Sequence, residues 1–118
     1  MPLDFQQPFT ERTPRVVNAG KLKRAQARRK AKAFLAEGEN AVEAAVATGA
    51  ATDLFVTEAA AERFEEIVRA AGYMDVYTHA ITEKAADSLA DAVTSTGIFA
   101  VCRPVPVSYT HLTLPTNR

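Results

Sequence analysis

One cysteine in 118 residues excludes an internal disulfide and fits a reducing compartment. Apolar runs are short. None approaches the roughly 20 residues of a membrane helix, so no membrane partner is expected. Residues 1–14 are polar, carry Pro2, Pro8 and Pro14, and lack the apolar core of a signal peptide; a cytoplasmic location is the expectation. His79 has neither a Cys nor a second His at ligand spacing, which argues against zinc. Cys102, inside an apolar run, reads as an inert core residue rather than a nucleophile. Asp87 and Asp91 lie four apart without an acid–base partner and read as a solvated face.

What the chain does have is charge, unevenly placed. Residues 11–33 hold Arg12, Arg15, Lys21, Lys23, Arg24, Arg28, Arg29, Lys30 and Lys32 against Glu11 alone, a net +8. Residues 34–102 hold twelve acids against Arg63, Arg69 and Lys84, a net −9. The overall charge of zero therefore hides a basic arm on an acidic body, the layout of a polyanion-binding arm on a globular module. Hydrophobic content of 47% suits one globular domain with a modest core.

Prolines make residues 1–14 an extended leader. Good helix formers predict a basic helix over 20–32, with Leu22 as its one large apolar residue. Phe34-Leu35 is a short apolar run ending at Glu37-Gly38, and a helix with Val42 and Val46 follows, stopped by Gly49. Leu54-Phe55-Val56 predicts a strand, and Thr57 caps a helix running to Ala71. Val76 to Ile81 is the next strand. Thr82 caps another helix, with Ala86, Leu89, Ala90 and Val93 inward. Ser95-Thr96-Gly97 is a polar turn before Ile98-Phe99-Ala100-Val101-Cys102, the most continuous apolar strand. Strands alternating with helices predict an α/β fold, a three-layer α/β/α sandwich with a mostly parallel sheet. One core is expected from Phe34, Leu35, Val42, Val46, Leu54, Phe55, Val56, Phe64, Ile67, Val68, Leu89, Ile98, Phe99 and Val101. Residues 107–118 have no helical period and no place in this pattern; they read as a non-native tail of translated adaptor or vector sequence.

Residues 15–104 resemble the N-terminal substrate-binding domain of SpoU/TrmH-family RNA 2′-O-ribose methyltransferases. The resemblance rests on Phe34-Leu35-Ala36-Glu37-Gly38-Glu39-Asn40-Ala41-Val42-Glu43-Ala44 after a Lys/Arg helix, on Asp53-Leu54-Phe55-Val56-Thr57, and on the stretch from Leu89 to Val101. The order and spacing of these segments most resemble actinobacterial ribosomal RNA methyltransferases, including the thiostrepton-resistance type. The resemblance implies a fold similar to kink-turn-binding ribosomal proteins, an RNA substrate-binding domain over 15–106, and ribosomal RNA as partner. In that family a second, knotted domain binds S-adenosylmethionine, dimerises and supplies catalysis. The chain leaves the family pattern near Val105, so no catalytic residue and no cofactor site is carried over.

Two surfaces are candidates for RNA. In the basic arm, Arg15, Lys21, Lys23, Arg24, Arg28, Arg29, Lys30 and Lys32 can neutralise phosphates and release counterions. Arg24, Arg28 and Arg29 add bidentate donors. With little aromatic interleaving, base stacking is not indicated. The second surface is the Glu37-Gly38-Glu39-Asn40 turn, where Gly38 permits a tight turn and Asn40 stands where a helix begins. It is similar to the turn of the kink-turn binders, but their Lys after the Asn is replaced by Glu43-Ala44. The alternatives are a free-standing RNA-binding protein of ribosomal type, and a protein-interaction module whose basic arm takes an acidic partner.

The chain by itself is expected neither to bind S-adenosylmethionine nor to methylate RNA. The turn at Gly38 lacks the multiple glycines of a nucleotide-binding loop. Calorimetry with the cofactor and a methyl-transfer assay on ribosomal RNA test this; stoichiometric binding or turnover would show that the chain holds an active site.

Overall fold

The computed structural model of the chain describes residues 5–90 and 96–104. The elements run α1 (Pro14–Lys21), α2 (Ala25–Ala31), β1 (Phe34–Glu37), α3 (Glu39–Thr48), β2 (Ala51–Val56), α4 (Glu58–Arg63), α5 (Glu65–Tyr73), β3 (Tyr77–Ala80), α6 (Glu83–Leu89) and β4 (Ile98–Cys102). No helix among the described residues is long and apolar enough to cross a membrane. Val93, Asp91 and the tail at 107–118 lie outside the described residues.

The mixed α/β character expected from the strand–helix alternation is present, but the sheet is not mostly parallel. Its order is β1-β4-β2-β3. β4 runs antiparallel to both β1 and β2, and only β2 and β3 pair in parallel. Val56 pairs with Ala80 on one side and with Ile98 on the other. The connection through α6 therefore leaves and re-enters the sheet at the same end, which reverses β4. Its continuous apolar run reports burial on both faces and so marks an interior strand. It carries no information about direction, and that is why the sequence pattern gave the wrong pairing.

The expected single core is two cores, one on each face of the sheet. Side chains alternate along a strand. Leu54 and Val56 of β2, with Ile98, Ala100 and Cys102 of β4, face α3, α4 and α5, where Val42, Val46, Phe64, Ile67 and Ala71 meet them. Phe55 and Phe99 point the other way, onto Val16 and Ala19 of α1 and Ala85, Ala86 and Leu89 of α6. Leu35, Val68 and Val101 are partly buried at the margins of these clusters. Phe34, expected inside, is 43% exposed.

Two helices differ from their expected extents. The basic helix is two short ones, and the first begins earlier, with Pro14 in its first turn. Proline fits there because its missing N–H would be unpaired anyway. Val16, Ala19 and Leu22 then form a buried stripe at helical spacing. The helix expected from Thr57 to Ala71 breaks at Phe64, whose backbone leaves the helical region at φ −115° and ψ 42°. No Gly or Pro marks that break. Thr57 and Thr82 cap as expected, their hydroxyls accepting from Ala60 N at 3.2 Å and Ala85 N at 3.0 Å. The leader is also anchored: Phe9 N donates to Ala80 O at 2.8 Å and Phe9 O accepts from Thr82 N at 3.0 Å, extending the sheet beyond β3.

Gly97 is a tight point in this arrangement. Its φ is +81°, and a Cβ there would lie 2.7 Å from Thr57 Oγ1 and 3.1 Å from Ala60 Cβ. The contact would fall on the buried hydroxyl that caps α4. Gly97→Ala is expected to destabilise the fold by about 1–3 kcal/mol through backbone strain and displacement of that cap. Denaturant unfolding measures it, and a change within about 0.5 kcal/mol of wild type would contradict it.

Candidate functional site

The ten candidate residues fall into three groups. The first is used to hold the fold. Arg28 Nη1 donates to Leu22 O at 3.0 Å and Lys23 O at 2.9 Å, closing the C-terminal end of α1. Lys23 Nζ donates to Ser88 O at 2.8 Å, in the last turn of α6. Arg103, not among the candidates, does the same for α2 by donating from Nη1 to Ala31 O at 3.2 Å. The last carbonyls of a helix lack intrahelical partners and carry the negative end of its dipole, so cations settle there. Arg15 Nη1 meets Asp53 Oδ2 at 2.8 Å.

The second group is free of such duties. Lys21, Arg24, Arg29, Lys30 and Lys32 are exposed, and none has an ion pair or side-chain hydrogen bond among the described residues. They gather on and beside α2, a seven-residue helix with no buried residue. So short a helix is unstable alone, and Arg28 and Arg103 tie it down. Two shallow recesses flank it. Lys21, Arg24, Gln26, Ala27 and Lys30 line one of about 290 Å³. Arg28, Arg29, Lys32, Phe34 and Pro104 border the other, of about 360 Å³.

The third group, Gly38 and Asn40, lies elsewhere. Gly38, at φ +96°, precedes α3 as its cap residue, and Asn40 is the second residue of the helix with no capping bond. Asn40 is thus exposed in the first turn rather than at the cap. The four residues of β1 separate this turn from α2 by about 13 Å of extended chain. Glu39, Glu43, Glu62, Glu65 and Glu66, with Arg63, surround a recess beside the same end of α3. The structure does not join the two candidate surfaces: one is cationic and the other is bordered by carboxylates.

A polar cluster that the sequence reading missed lies under α1. Asp53 Oδ2 takes Arg15 and also His79 Nε2 at 2.8 Å, and Thr52 Oγ1 donates to Asp53 Oδ1 at 3.0 Å. The His79 ring lies between Phe9 at 5.1 Å and Phe55 at 5.0 Å. Burial by itself would raise the Asp53 carboxyl, but the hydrogen bonds from His79, Thr52 and Arg15 outweigh it and hold the group below its ordinary value. The cluster joins α1, β2, β3 and the leader through one carboxylate. Its members are far apart in sequence, so no local pattern could have shown it. Burial pushes the Cys102 thiol up to about 11. It stays protonated at neutral pH, as an inert core residue should.

Residues 13–100 match the family described as the MRM3-like substrate binding domain. Comparison with curated proteins finds no match. Among solved structures, the fold is similar to an rRNA methyltransferase from Sinorhizobium meliloti, with a TM-score of 0.67 and 16% identity over 84% of this chain and 37% of that one. It is also similar to an RNA 2′-O ribose methyltransferase, with a TM-score of 0.68 and 20% identity over 95% of this chain and 41% of that one. The chain therefore spans well under half the length of these proteins.

The lowered Asp53 value carries a sign for stability. Between the folded and unfolded values the unfolded chain binds more protons, so stability rises with pH across the carboxylate range. Asp53→Asn is expected to cost about 1–2 kcal/mol at neutral pH. The difference from wild type should shrink as pH falls below the ordinary carboxylate value near ~3.9. Paired urea titrations from pH 7 to pH 3 measure it; a gap that is constant or widens in acid would show that the carboxylate charge is not what the cluster uses.

Proposed function

The chain belongs to the MRM3-like substrate-binding domain family, and we propose that it is the RNA-recognising domain of a ribosomal RNA 2′-O-methyltransferase. Methyl transfer from S-adenosylmethionine, and the pairing of two subunits, are assigned to the part of such an enzyme beyond this domain. No residue of this chain is given a catalytic or cofactor role. The work of the domain is then to find the RNA and hold it.

The observation that carries this reading is the set of five cations around α2 that have no side-chain partner among the described residues. Arg29 and Lys30 stand on α2, which has no buried residue, and Lys21, Arg24 and Lys32 flank it; among the described residues no carboxylate lines either adjoining recess. Such a surface binds phosphates and gains from counterion release. The Gly38–Asn40 turn is the poorer choice, because Glu39 and Glu43 would repel a phosphate there. Arg28, Lys23 and Arg15 support the surface from behind by fixing α1 and α2 on the body.

The test should spare those supports. The variant Arg24→Glu, Arg29→Glu, Lys32→Glu is expected to fold as wild type and to bind ribosomal RNA fragments far more weakly. Each lost phosphate contact should flatten the log–log salt slope by about 0.7–0.9. Filter binding from 50 to 300 mM salt, about the range where such contacts dominate, gives both numbers. Unchanged affinity and slope would remove α2 as the contact surface.

A further inference from the structure

We propose that Phe34 is a stacking platform for one unpaired base of the bound RNA, with Arg29 and Lys32 holding the phosphates beside it; this rests on the RNA-binding reading above. The ring is exposed at the start of a strand. Phe34 is 43% exposed, while Ala33 before it and Ala36 after it are buried. β1 is an edge strand, and α3 packs at its far end, over Ala36. Phe34, at the start of the strand, belongs to neither core cluster.

The surroundings of the ring favour a nucleotide. Among the described residues, the recess of about 360 Å³ beside it has Ala25, Ala33 and Pro104 as apolar walls and Arg28, Arg29 and Lys32 as its charged ones. Arg28 is taken up by the Leu22 and Lys23 carbonyls, whereas Arg29 and Lys32 have no partner among the described residues. Lys32 ends α2 in the left-handed conformation, at φ 54°. An L side chain reaches that region at a cost, and the turn it makes sets an ammonium two residues before the ring. An aromatic face bounded by cations is the arrangement that receives a base with its flanking phosphates. It accepts any base, because every base has a π-face. Paired bases inside a duplex are not available to it, so it selects loops and bulges, where bases can be splayed out.

The test uses the full chain and an RNA hairpin carrying 2-aminopurine in an unpaired loop, with a fully paired duplex of equal length as control. Circular dichroism and the thermal midpoint first establish that Phe34→Ala, Phe34→Leu and Phe34→Tyr fold. Wild type and Phe34→Tyr are expected to bind the hairpin alike and to change the fluorophore's emission on binding. Phe34→Ala should bind roughly 5- to 150-fold more weakly, the range for loss of one stacked base, with no emission change. Phe34→Leu should resemble Ala, because apolar bulk without a ring does not stack. The salt slope should be the same in all four, since a phenyl ring displaces no counterions. Equal hairpin affinity in wild type and Phe34→Ala, or full rescue by Leu, would overturn the platform while leaving the RNA-binding reading in place. Equal loss on hairpin and duplex would also overturn it. A wild-type chain that binds neither RNA, or binds polyglutamate as tightly, would sink the RNA-binding reading and the platform with it.

Discussion

The fold hangs on the placement of β4. It hydrogen-bonds to β1 on one side and to β2 on the other, so it joins two strands that would otherwise have no partner in common. Its alternating side chains supply both cores: Ile98, Ala100 and Cys102 to one face, Phe99 to the other. Because β4 enters the sheet in reverse, the chain must turn at Gly97 against the buried cap of α4. Direction of the strand, partition of the core and the glycine requirement are one constraint seen at three places.

On that frame the basic segment is divided by what its cations do. Lys23, Arg28 and Arg103 meet helix carbonyls, each serving the last turn of a different helix, and Arg15 meets Asp53. These contacts dock α1 on the sheet and hang α2 from it. The remaining cations of the segment have no side-chain partner among the described residues. With no fully buried residue and, of its own cations, Arg28 alone spent on holding it, α2 leaves Arg29 and Lys30 free for a ligand. The separation of labour also explains why charge alone is a poor guide to contact residues here: supporting and exposed cations alternate within a dozen positions.

Much of the fold could be read from the sequence. The apolar runs at 54–56 and 98–102, the caps at Thr57 and Thr82 and the helical stripe through Val42 and Val46 are local signals, and each stands where expected. What failed was non-local. Strand direction depends on where the chain re-enters the sheet. The burial of Val16 and Ala19 depends on α6 lying opposite, and the break at Phe64 depends on packing with no punctuating residue. Phe34 looked like the start of a core run because its partner layer, α3, could not be seen to stop short of it. The site was legible at the level of a segment and not of a residue: the cluster of charge pointed to the arm, but carbonyl partners, absent from any linear pattern, decide which side chains are free. The Asp53 cluster gathers residues from positions 9, 15, 53 and 79 and was invisible for the same reason.

The carboxylates around the start of α3 and the ammonium and guanidinium groups around α2 lie at opposite ends of β1. With net charge near zero, such a molecule feels little overall pull towards a polyanion, yet it feels a torque. Approach with the acidic end leading is repelled, and approach with α2 leading is drawn in. The short strand between them thus acts as the arm of a compass needle. Productive encounters would be chosen by rotation before any contact is made, and the bias would fade once the Debye length, ~8 Å at physiological salt, falls well below the length of that arm.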